Sequence, residues 1–530
     1  MEFGSDKVYI VVGPPGCGKS TWTAKQSKRA VEKYGAEKVY ILSLTRAAAR
    51  VIGSRDSGAL EDHVGTMHSF CFRVLGTPKL VSRKDVEEGW NALHPYWSIS
   101  PSVVGTSSAR IEAGEDIYSD AFLRLDRKRH KYLSGISGAE LEPDEKTFFD
   151  AWTAWKLERG VVDFTQLIED TIRFRRTLEP QPAVIFVDEA QDFSTLEVQA
   201  LRLWADDAEH LVLVGDLAQS IYDFHGATRE AMGGAESILL DQSYRLPRQV
   251  WLRAREMMGR MTETPVSELK PREEEGEVTT GPSFKMTDWY LQEILSRPDD
   301  TFMLVAPCGY MIDGLVAKLR ENFIPYWNPY APRETRWNPL ARKVEIGKVQ
   351  TVQRFIDYMS GQKTGMWSTA QIKSWVPLFA HIWRRGHLKS ITEHMTDDDS
   401  PRVATNILLS FVLDEFRNDL LDFYPKWIID HAAMKYLRML EFYTGVVSRW
   451  GVDSLTQEPR VIVGTIHSVK GGEADHVVVF PDLSPRWHDM LQRPGWENAD
   501  SVFRLFYVGM TRAKRRLILA DAATRFAIGW

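Results

Sequence analysis

The apolar run Val8-Tyr9-Ile10-Val11-Val12 leads directly into Gly13-Pro14-Pro15-Gly16-Cys17-Gly18-Lys19-Ser20, and this junction limits the possible folds more than any other stretch of the chain. A run without polar alternation reads as a strand buried on both faces, the form found in parallel sheets. The next residues fit G-x-x-x-x-G-K-[ST], and Ser20-Thr21-Trp22-Thr23-Ala24-Lys25 reads as the start of a helix, so strand, glycine loop and helix stand in the order the pattern needs. Glycines let the backbone close around phosphate oxygens, and the helix N-terminus adds its partial positive charge. Lys19 is then long enough for the outer phosphates, and Ser20 is a ligand for magnesium. The loop predicts a nucleoside triphosphate as fuel, held by Gly13, Pro14, Pro15, Gly16, Cys17, Gly18, Lys19, Ser20 and Thr21.

A chain of 530 residues exceeds a single core and should divide into roughly three or four domains. No apolar run approaches the length of a membrane span and no signal peptide precedes the phosphate loop, which predicts an intracellular protein of the cytoplasm, the nucleoid or a phage-infected cell, without a membrane partner. Cys17, Cys71 and Cys308 have neither metal spacing nor the numbers for a disulfide framework, in keeping with a reducing compartment. With a net charge of -6, any nucleic-acid surface must be a local groove. Eighteen tryptophans supply many candidate stacking platforms, most of them expected to be packing residues.

Short apolar runs recur at Val39–Leu44, Ala183–Val187, Leu211–Val214, Thr301–Val305, Arg460–Val463, Val477–Phe480 and Leu517–Leu519. Between them two stretches lose the strand rhythm. The pattern predicts an α/β fold with two parallel sheets, each interrupted by a mainly helical insertion. Residues 1–76 and 163–238 form the first unit and 77–162 its insertion; 239–330 and 455–530 form the second, with 331–454 as its insertion. No internal repeat is visible. The basic run Arg124-Leu-Asp-Arg-Lys-Arg-His-Lys131 reads either as a solvated helical face or as a duplex or single-strand contact.

Asp188 and Glu189 follow the Val184–Val187 strand at the edge where parallel sheets bind ligands. There Asp188 can hold magnesium and Glu189 can orient and deprotonate water, the alternative being a pair of helix-capping acids. Gly215-Asp216-Leu-Ala-Gln219-Ser220-Ile-Tyr222-Asp-Phe224 follows the next strand, and Gln219 can contact both a terminal phosphate and groups across a cleft. These boxes, together with Ser43-Leu-Thr-Arg-Ala-Ala-Ala49, Gly65-Thr-Met-His-Ser-Phe70, Asp163-Phe-Thr-Gln-Leu-Ile168, Ser243-Tyr244-Arg245, Gly464-Thr-Ile-His467-Ser-Val-Lys470-Gly-Gly-Glu473 and Tyr507-Val-Gly-Met-Thr511-Arg512, resemble the UvrD/Rep/PcrA group of superfamily 1 DNA helicases.

The resemblance implies two RecA-like P-loop domains, ATP and magnesium as cofactors, and single-stranded DNA and single/double-strand junctions as partners, with the isolated protein monomeric. It implies that Lys19, Asp188, Glu189, Gln219, Arg245 and Arg512 form the catalytic set and that Ser20 and Asp188 hold the metal. Arg245 and Arg512 would reach the terminal phosphate, Tyr244 would stack on the base, and Glu473 would accept from the ribose. DNA would run over Thr45, Arg46, Thr66, His68, Phe70, Tyr222, Phe224, Thr465 and His467; the two histidines are alternatively packing residues. Three departures from the group stand out. Little chain precedes Val8 to hold an adenine-reading helix, so relaxed nucleotide selectivity is expected. Leu44 stands where relatives often place phenylalanine, and the second insertion is short. The implied activity is 3′ to 5′ unwinding of DNA. The alternatives are a DNA-stimulated translocase without autonomous unwinding and a nucleotide-gated DNA-binding module without turnover.

Overall fold

The computed structural model describes residues 7–43, 57–100, 118–136, 139–221, 232, 237–262, 269–329, 366–368, 379, 381–382, 401–404, 413–416, 426–434, 437–451, 454, 457–492 and 496–530. In the first sheet, β1 (Val8–Val12), β2 (Val39–Ser43), β3 (Val64–Thr66), β4 (Val184–Asp188), β5 (His210–Gly215) and β6 (Ser237–Leu239) lie parallel in the order β3-β2-β4-β5-β1-β6. The period of two along each strand divides its side chains between two cores. Val11, Val184, Phe186, Val212 and Val214 face α1 (Lys19–Tyr34), whereas Ile10, Ile185, Val187, Leu211 and Leu213 face the opposite layer. Both faces are covered, and this accounts for the unbroken apolar runs.

The opposite layer contains α2 (Met67–Val74), α5 (Phe164–Arg173) and α6 (Thr195–Ala205). Between α2 and α5 the chain builds α3 (Asp120–Leu133) and α4 (Pro143–Arg159) around a separate aromatic core. In that core Trp90 lies 5.0 Å from Trp152 and 5.7 Å from Trp155, centroid to centroid, so these tryptophans pack against one another. The basic run on α3 is not a simple solvated face. Arg124 is exposed, but Arg129 is buried, its guanidinium 3.3 Å from Asp163 and 3.0 Å from Glu169, and His130 Nε2 lies 2.7 Å from Ser194 Oγ. The run is largely a seam that docks the insertion onto the first unit.

After α7 (Arg248–Met258) come β7 (Glu277–Gly281), α8 (Thr287–Ser296), β8 (Phe302–Ala306) and α9 (Asp313–Glu321). The short strands β9 (Met366–Ser368) and β10 (Pro401–Ala404) pair antiparallel, and α10 (Lys426–His431) and α11 (Leu437–Trp450) precede β11 (Val461–Thr465), β12 (Ala474–Val479), α12 (Pro485–Gln492), α13 (Trp496–Met510) and β13 (Ala513–Ala520). The second sheet is parallel, in the order β11-β8-β12-β13-β7. Phe442 and Val446 of α11 join its core. Most of the span 331–454 lies outside the described residues, including the acidic turn Asp397–Pro401 up to Ser400. Among the described residues no helix is long and apolar enough to cross a membrane.

The two units share one short device at a sheet edge. β3 and β11 are both edge strands, both end in Gly-Thr, and both run into x-His-Ser. Ser69 N donates to Thr66 Oγ1 and Ser468 N to Thr465 Oγ1, each at 3.3 Å, while Ser69 Oγ donates to Thr66 O at 2.7 Å and Ser468 Oγ to Thr465 O at 2.8 Å. The two units repeat one local device too short to register as sequence periodicity.

Candidate nucleotide site and nucleic-acid track

The phosphate loop closes between β1 and α1, with Gly16 at φ 75° and Gly18 at φ 80°, a left-handed conformation that costs glycine little. Gly16 also has no room for a Cβ, because Arg245 lies against it. Ser243 Oγ donates to Pro15 O at 3.0 Å and Tyr244 N to Gly16 O at 2.8 Å, so the Ser243-Tyr244-Arg245 segment is stitched to the loop. Tyr244 is 71% exposed, with its ring beside Gly18 of the loop. Lys19 is buried and its Nζ donates to Gly13 O at 2.7 Å. Thr21 is exposed and Pro14 and Cys17 are buried.

Asp188 ends β4 and is buried; the Ser20 hydroxyl donates to its carboxylate, while Oδ1 has no hydrogen-bond partner. Burial, followed by the charge of Glu189, pushes the Asp188 pKa up to about 7. A buried carboxylate oxygen without a donor, next to a serine hydroxyl at the end of a phosphate loop, suits a hard divalent cation such as Mg2+. Glu189 takes φ 54°, strained for a residue with a Cβ, and Gln191 Nε2 holds its carboxylate at 2.5 Å. Burial opposes its charge, but Lys19, Lys470, the Gln191 bond and Arg512 together lower its pKa to about 2.

Gln219 connects the two units. Its Nε2 donates to Asp216 at 2.7 Å, its Oε1 accepts from Arg512 Nη2 at 2.6 Å, and its backbone oxygen accepts from Lys470 Nζ at 2.7 Å. Lys470 also pairs with Asp192 across the cleft. Arg512 is buried, and burial together with the nearby Arg245 charge lowers its pKa to about 9. Arg245 Nε donates to Glu473 at 2.8 Å, the exposed carboxylate expected at the ribose. Ala218 and Ile221, from the loop after β5, pack into the same apolar cluster as Leu246, Trp251 and Leu505. The expected catalytic residues Lys19, Asp188, Glu189, Gln219, Arg245 and Arg512 thus converge on one cleft. Lys470, Asp192, Asp216 and Gln191 join them without having been singled out; their signal in the sequence was adjacency to strand ends and glycines within the same boxes.

The nucleic-acid candidates fare less evenly. Thr45, Arg46, Tyr222 and Phe224 lie outside the described residues. Thr66 and His68 are half-buried where β3 meets α2, Thr465 is buried at the equivalent end of β11, and His467 is half-buried beyond it. Burial of the His467 ring, with Lys470 nearby, lowers its pKa to about 4, so at neutral pH it is an uncharged ring. Phe70 requires a correction: it is 1% exposed, with its ring against Tyr40 and Trp204 in the core, because its place on α2 turns it inward. No base can stack there. Phe70→Ala should therefore cost stability, about 3–5 kcal/mol in denaturant titration, as emptying an aromatic core site does.

Cys71 and Cys17 are buried, and burial pushes the Cys71 thiol up to about 12 and raises that of Cys17. Modification of Cys17 is therefore expected to be slow in the closed loop.

Parallel sheets facing one cleft, with a phosphate loop on one side and buried arginine on the other, define a two-domain RecA-like P-loop enzyme that hydrolyses ATP. Residues 2–225 match the family described as an AAA domain, and residues 460–520 match the UvrD-like helicase C-terminal domain. ATP-dependent DNA helicase UvrD2 of Mycobacterium tuberculosis is 23% identical over 548 residues, covering 92% of this chain and 73% of the relative. ATP-dependent DNA helicase PcrA of Bacillus subtilis is 24% identical over 51% of this chain and 40% of its own length, and DNA helicase II of Escherichia coli 32% over 19% and 17%. These matches support a UvrD/Rep/PcrA-like helicase.

Proposed function

We propose that this enzyme moves 3′ to 5′ along single-stranded DNA and separates duplex at the junction ahead of it. The observation that carries the reading is the Asp216–Gln219–Arg512 chain of hydrogen bonds, which ties the nucleotide site of one lobe to a cation of the other. The lobes are residues 1–76 with 163–238 and 239–330 with 455–530, and the stretches 77–162 and 331–454 are their insertions. Phosphates are held by the loop from Gly13 to Thr21 with Lys19. Ser20 and Asp188 are the residues for magnesium, which when bound neutralises charge on the phosphate oxygens. Glu189 orients water and takes its proton, Arg245 and Arg512 stabilise charge on the transferring phosphoryl group, and Gln219 reports its presence to both lobes. Tyr244 stacks on the base and Glu473 faces the ribose.

Loss of the terminal phosphate releases the arginines, and the cleft opens or closes accordingly. The matched Thr66/His68 and Thr465/His467 sites, one at the edge of each sheet, are suited to grip the same strand from both lobes, together with Thr45, Arg46, Tyr222 and Phe224. Their hydroxyls and rings hold backbone and bases without reading sequence. ATP hydrolysis measured with and without single-stranded DNA, beside unwinding of 3′-tailed and 5′-tailed duplexes, tests the proposal. Stimulation by the single strand and separation of the 3′-tailed duplex alone are expected. Separation of the 5′-tailed substrate would reverse the polarity. Stimulation without separation of either would leave a translocase that needs a partner to unwind.

A further inference from the structure

His467 and Trp487 follow β11 and β12, the two strands that flank β8, and their rings meet with centroids 6.1 Å apart and planes at 57°. The contact therefore crosses the carboxyl edge of the second sheet, the edge at which parallel sheets bind ligands. The local sequence puts the tryptophan there. Ser484 Oγ accepts from Trp487 N at 3.3 Å and Pro485 opens α12, so Trp487 stands in the first turn of that helix. It packs against the apolar cluster that includes Leu505 and Phe506 but stays only half-buried, and Arg486 before it is exposed.

The first lobe carries a counterpart. His68 meets Phe164, the first residue of α5, at 5.6 Å between centroids and 75° between planes, and Phe164 too is half-buried. Each Thr-x-His-Ser device thus has a partly open aromatic ring, from the first turn of a separate helix, against its imidazole. A ring that serves the core alone is closed off, as Phe70 is. We propose that Trp487 is a base-stacking residue for single-stranded DNA on the second lobe, its ring taking a base while Arg486 holds the adjoining phosphate. The inference rests on the single-strand reading given under the proposed function. Every base has a flat face, so the contact grips the strand without reading its sequence, and the cation beside it meets the backbone.

Binding of labelled oligothymidylate, beside an abasic strand of the same length, tests the assignment at low salt, where backbone attraction holds either strand. Trp487→Leu keeps an apolar side chain against the cluster and removes the flat face. Its Kd for oligothymidylate should rise about tenfold, within what one stacked base contributes, while its Kd for the abasic strand matches that of the parent protein. Trp487→Phe, which restores a ring, should recover most of the loss. An unchanged Kd for oligothymidylate would overturn the inference. Equal weakening on the two strands would do so as well, because the defect would then lie in backbone contacts or in the fold, and so would a phenylalanine variant as weak as the leucine one. If the parent bound neither strand, the single-strand reading itself would be wrong; if the parent bound both and the variants matched it, only the Trp487 assignment would fall.

Discussion

Glu189→Gln should reduce DNA-stimulated ATP hydrolysis by about 100-fold or more while leaving nucleotide binding nearly intact, since a positioned general base typically contributes about that much. The carboxylate is held at a strained backbone position by Gln191, and Lys19, Lys470 and Arg512 overcome the effect of burial to keep it ionised. Phosphates that draw the charge of Lys19 and Arg512 to themselves would weaken that grip on Glu189 and raise its basicity where water must be deprotonated. The amide keeps the shape and the neighbours but cannot take the proton. Lys19→Ala should fail differently, by losing a buried cation against the phosphates, so its defect should appear in the Kd for nucleotide. Single-turnover hydrolysis beside equilibrium binding separates the two. A Glu189→Gln enzyme that keeps more than about a tenth of the rate would exclude Glu189 as the base.

Asp163→Ala should destabilise the first unit by about 3–5 kcal/mol, the usual consequence of removing one member of a buried ion cluster. Asp163 is 2% exposed and accepts from Trp152 Nε1 at 2.7 Å, Lys156 Nζ at 2.5 Å, Arg129 Nη1 at 3.3 Å and Gln166 N at 2.8 Å. Without it, Lys156 is left charged in the interior and Arg129 keeps only Asp126 and Glu169. Burial works against the Asp163 charge, but Lys156 and Arg129 hold its pKa well below the usual carboxylate range. Its stabilisation is therefore complete above the unfolded pKa of about 3.9 and is lost as pH falls towards the folded value. Asp126, raised by burial and by Asp163, titrates in the opposite sense. Urea unfolding of the parent and Asp163→Asn proteins should give a large gap at neutral pH that narrows below about pH 4. A gap that did not change with pH would mean that the carboxylate charge is not the source of the stability.

Several expectations depended on contacts that sequence proximity cannot reveal. Arg129 reads as one more cation in a basic run, and only its distant partners Asp163 and Glu169, 34 and 40 residues on, take it out of solvent. Phe70 shares a box with His68 and Thr66, but lying two residues past His68, about half a turn of α2, it points into the core. Lys470 stands 278 residues from Asp192, and their pairing exists only because the two sheets face each other.

The phosphate loop, the Asp188–Glu189 step at the end of β4 and the parallel α/β class were legible in the sequence because each follows from short-range spacing: unbroken apolar runs, glycines where the backbone must turn, acids at a strand terminus. The likeness to UvrD-like helicases came from the resemblance of the whole motif set. Tertiary structure alone decided which of those residues meet. The convergence of Arg512 and Lys470 on Gln219 and Asp192 depends on how two separately built sheets pack across a cleft, and that packing is settled by apolar contacts such as those of Ala218 and Ile221 with Leu246 and Leu505. Those contacts are non-directional and long-range in the chain, so no local pattern of residues encodes them.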